Sequence, residues 1–147
     1  TVGMAQITPN SRNVVPGRGF FSVEFRHPQE SILEQMEQRL LAAVNHVNGG
    51  GLTARAERIF QYPPIAFDRG CIDSVRHAAQ ALGYRHRDMI SGAGHDACYL
   101  NRVAPTAMIF IPCVDGISHN EREDITPAWA TAGADVLLNA LLAQAGA

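Results

Sequence analysis

The spacing of apolar positions changes along the first part of the chain, from strand-like to helical. Val2, Met4 and Ile7 punctuate residues 1–8, and Phe21, Val23 and Phe25 alternate with Ser22, Glu24 and Arg26. Residue types and the turn cluster Pro9-Asn10-Ser11 predict a strand over 1–8, and a period of two, the mark of one buried face, predicts another over 20–26, the two forming an antiparallel pair through Pro9 to Gly19. Leu33, Met36, Leu40, Val44 and Val47 then recur at three- and four-residue intervals. That spacing predicts an amphipathic helix, with Ser31 as N-cap, Glu34 as its capping-box partner and Asn48-Gly49-Gly50-Gly51 as its stop. Leu52 to Tyr62 reads as a further strand. The order strand, strand, helix, strand is most of a split βαβ sandwich.

Pro63-Pro64 followed by Asp68-Arg69-Gly70 is the expected boundary, since prolines stiffen the chain and no apolar period crosses it. Beyond it, Ile72, Val75, Ala79 and Leu82 predict a helix ended by Gly83, and Arg87 to Ile90 a short strand. A short helix through Tyr99 and Leu100 follows. Ala107-Met108-Ile109-Phe110-Ile111, uncharged and bounded by prolines, reads as a strand buried on both faces, the kind found in parallel sheets. Thr126 and Pro127 open a last helix whose Trp129, Ala132, Val136, Leu137 and Leu141 face inward. Helix, strand, helix, strand, helix is half of an α/β sheet domain. The expected class is therefore α/β, with domains over 1–66 and 67–147.

Composition narrows the partners. A net charge of -2, with acidic and basic residues mixed, supplies no basic field for nucleic acid or an anionic membrane. The longest uncharged stretch, Val103 to Val114, is too short to span a bilayer, and no signal-peptide layout begins the chain, so a cytoplasmic setting is the default expectation. Cys71, Cys98 and Cys113 are odd in number and lack a Cys-x-x-Cys pair, which argues against a disulfide framework and a thiolate zinc site. They read as small apolar residues. Thr1 opens directly in a strand without a methionine, as a piece of a longer polypeptide would.

Candidate chemistry gathers after the strands. Asp115-Gly116 turns the chain, and His119 lies just past the carboxyl end of the 107–112 strand, where ligands bind in open α/β sheets. Read alone, such a histidine is more often a hydrogen-bonded loop residue than a metal ligand or a proton carrier. In Ser91-Gly92-Ala93-Gly94-His95-Asp96-Ala97, small residues allow close backbone approach, and several N–H groups at a helix start can hold an anionic oxygen. The stretch is neither a dinucleotide fingerprint nor a P-loop, and a plain tight turn with a helix cap accounts for it equally. Arg26 offers either a solvated surface side chain or paired donors for a carboxylate. His95 and His119 follow successive predicted strands and could face one crevice.

Four motifs together carry a resemblance. Pro9-Asn10-Ser11-Arg12-Asn13-Val14-Val15-Pro16-Gly17, Arg26-His27-Pro28, Ser91 to Ala97, and Asp115-Gly116-Ile117-Ser118-His119 resemble, in order, those of the N-carbamoyl-L-amino-acid hydrolases, with allantoate amidohydrolase and β-ureidopropionase. That family belongs to the dinuclear metallo-aminoacylase and carboxypeptidase superfamily. The resemblance covers nearly the whole chain but about the last third of a family member. It implies that residues 1–66 are part of a lid or dimerisation domain of split βαβ type, and 67–147 the carboxyl-terminal part of the catalytic domain. It implies a metal-dependent amidohydrolase cleaving the carbamoyl C–N bond of N-carbamoyl amino acids or related ureido acids, with two divalent ions (Zn, Mn, Co or Ni) and a homodimeric assembly. His119 would be a metal ligand, Asn13 and Arg26 would bind substrate with Arg26 on its α-carboxylate, and Ser91, Gly92, Ala93, Gly94 and His95 would line the substrate pocket. The other ligands and the general-base glutamate belong to the family's earlier part, so no catalytic residue is expected in this chain, which alone should bind metal weakly and be inactive. Cys113-Val114 departs from the serine and basic residue of the family pattern. An aminoacylase or dipeptidase of the same superfamily, or a non-catalytic association module, are the other readings the sequence allows.

Overall fold

Strands β1 (Val2–Thr8) and β2 (Arg18–Val23) pair antiparallel, from Val2 opposite Val23 to Thr8 opposite Arg18, with an irregularity between Val2 and Met4. Beyond β2, Thr1 N donates to Glu24 O at 2.8 Å and Glu24 N–H returns a bond to Thr1 O at 2.9 Å. The structure, a computed structural model, describes residues 1–146, and the chain divides into two units, Thr1–Pro64 and from Ile65 onward. Helix α1 (Glu30–Val47) belongs to the first unit. Ser31 is not its N-cap. Gln29 takes that position without a side-chain cap, its carbonyl accepting from Leu33 N–H, while its own N–H donates to His27 Nδ1 at 3.0 Å. The helix thus starts as soon as Pro28 is passed, and the ring of His27 does a cap's work. At the other end Asn48 is extended, and its side chain stops the helix: Nδ2 donates to Val44 O and Ala54 O, and Oδ1 accepts Ala54 N–H at 2.6 Å. Gly49, Gly50 and Gly51, all at positive φ, build the turn that follows.

In the second unit, Asp68 Oδ1 accepts Cys71 N–H at 2.8 Å and caps helix α2 (Arg69–Ala81), which ends before Gly83 at φ 73°. Residues Ala97–Leu100 form one turn, α3. Thr126 caps α4 (Pro127–Ala145) by accepting Trp129 N–H, and Gly146 closes it in the left-handed region. Helices α2 and α4 meet through small residues: Ala78, Ala79, Val136 and Ala140 are the buried core, with Val75, Tyr84 and Ile109 against it. Tyr84 Oη donates to Asp135 Oδ2 at 3.0 Å, tying the turn after α2 to α4, and that bond raises the phenol's pKa.

The fold is mixed α/β, but three predicted strands are not strands. Residues 52–62, 87–90 and 107–112 carry strand-like sequences, yet β1 and β2 make the whole sheet among the described residues. The backbone of 107–112 makes no hydrogen bond to another segment among them. Ile109 and Ile111 are half-buried and Phe110 is exposed, so this segment is not covered on both faces. A strand exists only where a neighbour completes its ladder, and residue type supplies no neighbour. The inward assignment of Leu137 and Leu141 is likewise corrected, since they are 50% and 58% exposed, with Leu138 and Leu142 beside them. Helix α4 is apolar apart from Gln144 and a stripe of Thr131, Asp135 and Asn139, and α2 covers only the face carrying Val136 and Ala140. No described helix is long and apolar enough to cross a membrane.

Gly133 shows how closely 107–112 approaches α4. A Cβ there would lie 2.8 Å from Ile111 Cγ2. Gly133→Ala gains about 1 kcal/mol of helix propensity, whereas inserting a methyl into a filled contact costs about 1–3 kcal/mol. The overlap wins, and a lower urea midpoint is expected. A raised midpoint would show that Ile111 swings aside freely.

Candidate functional site

Of the residues singled out by motif, Asn13 and Arg26 lie in the first unit, and Ser91 to His95 and His119 in the second. Asn13 sits in the turn joining β1 to β2 and accepts from Ser11 Oγ at 2.8 Å through Oδ1. With Oδ1 accepting from the hydroxyl, the NH₂ remains as a donor. Arg26 lies three residues past the end of β2, and its Nε donates to Glu24 Oε1 at 2.7 Å. Both side chains are more than half exposed, so the pair adds little to stability. It does hold the guanidinium in the grip of a carboxylate, the chemistry for which the fork is shaped.

Ser91 to His95 forms a small turn ahead of α3. Ser91 Oγ accepts Ala93 N–H at 3.1 Å, and His95 Nδ1 accepts Ala97 N–H at 3.1 Å. Because Nδ1 is an acceptor, the neutral ring carries its proton on Nε2 and is a donor from that side. Gly92 and Gly94 have ordinary φ, and a Cβ on either would meet nothing within 4 Å. Neither glycine is needed for backbone conformation or for packing within the described residues. His95 and Asp96 are among the polar residues lining a largely apolar groove of about 750 Å³, walled by Val75, Leu100, Ile109 and Leu137. Cys71 also faces it, its thiol pKa pushed up by burial and by the Asp68 carboxylate, which keeps it a neutral wall rather than a thiolate.

His119 does not line that groove. It follows a single 3₁₀ turn, Val114–Gly116, in which Asp115 stands at φ 54° and Gly116 at φ 68°. His119 itself is at φ 57° and exposed, with Nδ1 3.0 Å from Ser118 Oγ. If Nδ1–H donates to that hydroxyl, Nε2 carries the lone pair, and it has no partner among the described residues. This is the usual arrangement of a histidine that ligates through one nitrogen and is oriented through the other. One imidazole fits a metal in this way, but no three His, Cys, Asp or Glu side chains among the described residues are grouped to hold one.

Motif reading missed Glu123. Its Oε2 accepts His119 N–H at 2.7 Å. A carboxylate four residues after the histidine, in a loop rich in turn formers, was the available signal. The other charged cluster, Arg76 between Asp73 and Asp88, ties α2 to the segment after it. The guanidinium holds Asp88 below the usual carboxylate range and is itself shifted up.

The family described as peptidase family M20/M25/M40 matches residues 5–143 of the chain. An N-carbamoyl-L-amino-acid amidohydrolase from Rhizobium meliloti is 46% identical over 98% of the chain and 35% of its own length. Allantoate amidohydrolase from Bacillus subtilis is 34% identical over 84% of the chain and 30% of its own length. Among solved structures, an amidase of the hydantoinase/carbamoylase family from Burkholderia multivorans superposes with a TM-score of 0.94 at 59% identity, over 98% of this chain and 35% of that one. The chain therefore spans about a third of the length of these relatives.

Proposed function

Because the chain belongs to peptidase family M20/M25/M40, we propose that it forms the carboxyl-terminal part of a metal-dependent amidohydrolase. The whole enzyme would cleave the carbamoyl C–N bond of N-carbamoyl-L-amino acids or related ureido acids. Similarity across nearly the whole chain to an N-carbamoyl-L-amino-acid amidohydrolase carries this reading. Residues 1–66 would be part of a lid and dimerisation domain, and 67–147 the last part of the catalytic domain. The remaining two thirds of the family's length would cover α4 and supply strands beside 107–112. The unpaired outer edge of β1 is suited to assembly into a homodimer.

His119 Nε2 would hold one of two divalent ions, Zn, Mn, Co or Ni, with the other ligands and the general-base glutamate supplied from outside this chain. Bound there, such ions supply an activated water and neutralise charge on the oxygen of the carbonyl under attack. The chain's own residues act on the substrate. Arg26 would take the α-carboxylate in a paired grip, exchanging Glu24 for the ligand. Asn13 would add its amide donors. The Ser91 to His95 turn would bring backbone N–H groups close to the substrate, with Gly92 and Gly94 leaving room for that approach, and His95 Nε2–H would donate to a substrate oxygen.

A substrate panel on the metal-loaded whole enzyme tests the reading. Hydrolysis of N-carbamoyl or ureido acids in preference to N-acetyl amino acids and dipeptides is expected. Preference for the acetyl or dipeptidyl compounds would reassign the enzyme as an aminoacylase or dipeptidase, and inactivity on all of them would leave a non-catalytic association module.

A further inference from the structure

The turn that presents His119 is closed by one carboxylate. Glu123 reaches back so that Oε2 accepts His119 N–H at 2.7 Å, while Oε1 lies 3.8 Å from Cys113 Sγ. Its own N–H donates to Asn120 O at 2.9 Å, and Val114 N–H donates to Asp124 O at 2.8 Å, pinning the two ends of the loop together. Inside that loop His119 stands at φ 57°. A left-handed backbone at a non-glycine residue costs about 1–3 kcal/mol and persists only where its surroundings hold it. Histidine is among the side chains that tolerate it best, so the lower end of that range applies.

Two contacts therefore govern two freedoms of one side chain. Ser118 Oγ, 3.0 Å from Nδ1, restrains the rotation of the ring. Glu123 restrains the backbone from which the ring springs, through a short bond from an N–H to a charged acceptor, a stronger kind than a neutral pair. With one oxygen on the His119 amide and the other toward the Cys113 thiol, the carboxylate is committed to the protein rather than presented as a ligand.

We propose that Glu123 is a positioning residue for a metal-binding His119, holding the left-handed turn that aims Nε2 at the ion. The proposal rests on the reading of His119 as a ligand. Zn²⁺ affinity of the whole enzyme, measured by competition with a chromophoric chelator, and the Co²⁺ absorption spectrum test it. Glu123→Ala should weaken Zn²⁺ binding by about 10–100-fold, the range for partners that orient a ligand. Glu123→Gln keeps an acceptor oxygen at the right reach, so it should stay within about threefold of the parent with an unchanged Co²⁺ spectrum. Glu123→Asp, one methylene too short to span the turn, should behave as Glu123→Ala and replaces it if that variant does not fold. Unchanged affinity in Glu123→Ala and Glu123→Asp overturns the proposal. So does a Glu123→Gln variant as weak as Glu123→Ala with an altered Co²⁺ spectrum, since that is the behaviour of a direct ligand. A His119→Asn variant with full Zn²⁺ affinity would instead remove the ligand assignment itself, and the proposal with it.

Discussion

With His119 a metal ligand as proposed, His119→Asn is expected to lower the kcat of the whole enzyme by about 10³-fold or more, with one metal ion per active site lost or weakly held. The magnitude follows from rank: orienting partners of a ligand are worth about 10–100-fold, and the ligand itself must exceed them. Asparagine is the substitution of choice because its short polar side chain accepts the left-handed backbone that His119 adopts at φ 57°. The turn survives and only the imidazole is removed. Alanine would confound the two by adding backbone strain to the loss of the ring. Initial rates with metal content determined on the same sample decide the matter. A variant within tenfold of the parent and carrying its full complement of metal would show that His119 is not a ligand.

With Arg26 on the substrate carboxylate as proposed, Arg26→Ala is expected to raise KM for N-carbamoyl substrates by about 30–150-fold, corresponding to about 2–3 kcal/mol for one partner of a charge pair desolvated on binding. The α-carboxylate does not react, so it is held alike in ground and transition states, and kcat should change far less than KM. Arg26→Lys keeps the charge but not the fork, and should fall between the two. Glu24 competes for the same guanidinium in the free chain. Its replacement by glutamine should lower KM by less than about fivefold, because exposed pairs of this kind are worth about 1 kcal/mol at most. Steady-state kinetics on the three variants, with a substrate amide lacking the free carboxylate as control, read this directly. If Arg26→Ala discriminates against the carboxylate and its amide equally, the carboxylate is not what Arg26 binds.

The helices were legible because their information is local. Thr126 caps its own helix as its place before Pro127 predicts, and the three-and-four spacing of Leu33, Met36 and Leu40 needs no distant partner to be read, although the cap at Ser31 was misplaced. The pairing of β1 with β2 was legible for a related reason, since a short connection brings neighbouring strands together. Strand-like composition at 107–112 was read correctly as chemistry and wrongly as structure, because a ladder is a property of two segments. In the candidate site, the histidine turn was visible in Asp115-Gly116 and His119. The contact from Glu123 was not, because it depends on a positive φ at His119 that brings the amide within reach of a carboxylate four residues on.

A helix such as α4, with leucines on the side away from Val136 and Ala140, also governs what stability can mean for this chain. Its folding free energy depends on what occupies that side, so the stability of the 147 residues by themselves differs from that of a chain in which the side is covered. Taken alone, the 147 residues should not be assigned a single two-state ΔG; under the proposed function the cooperative unit would be the chain together with whatever closes over α4.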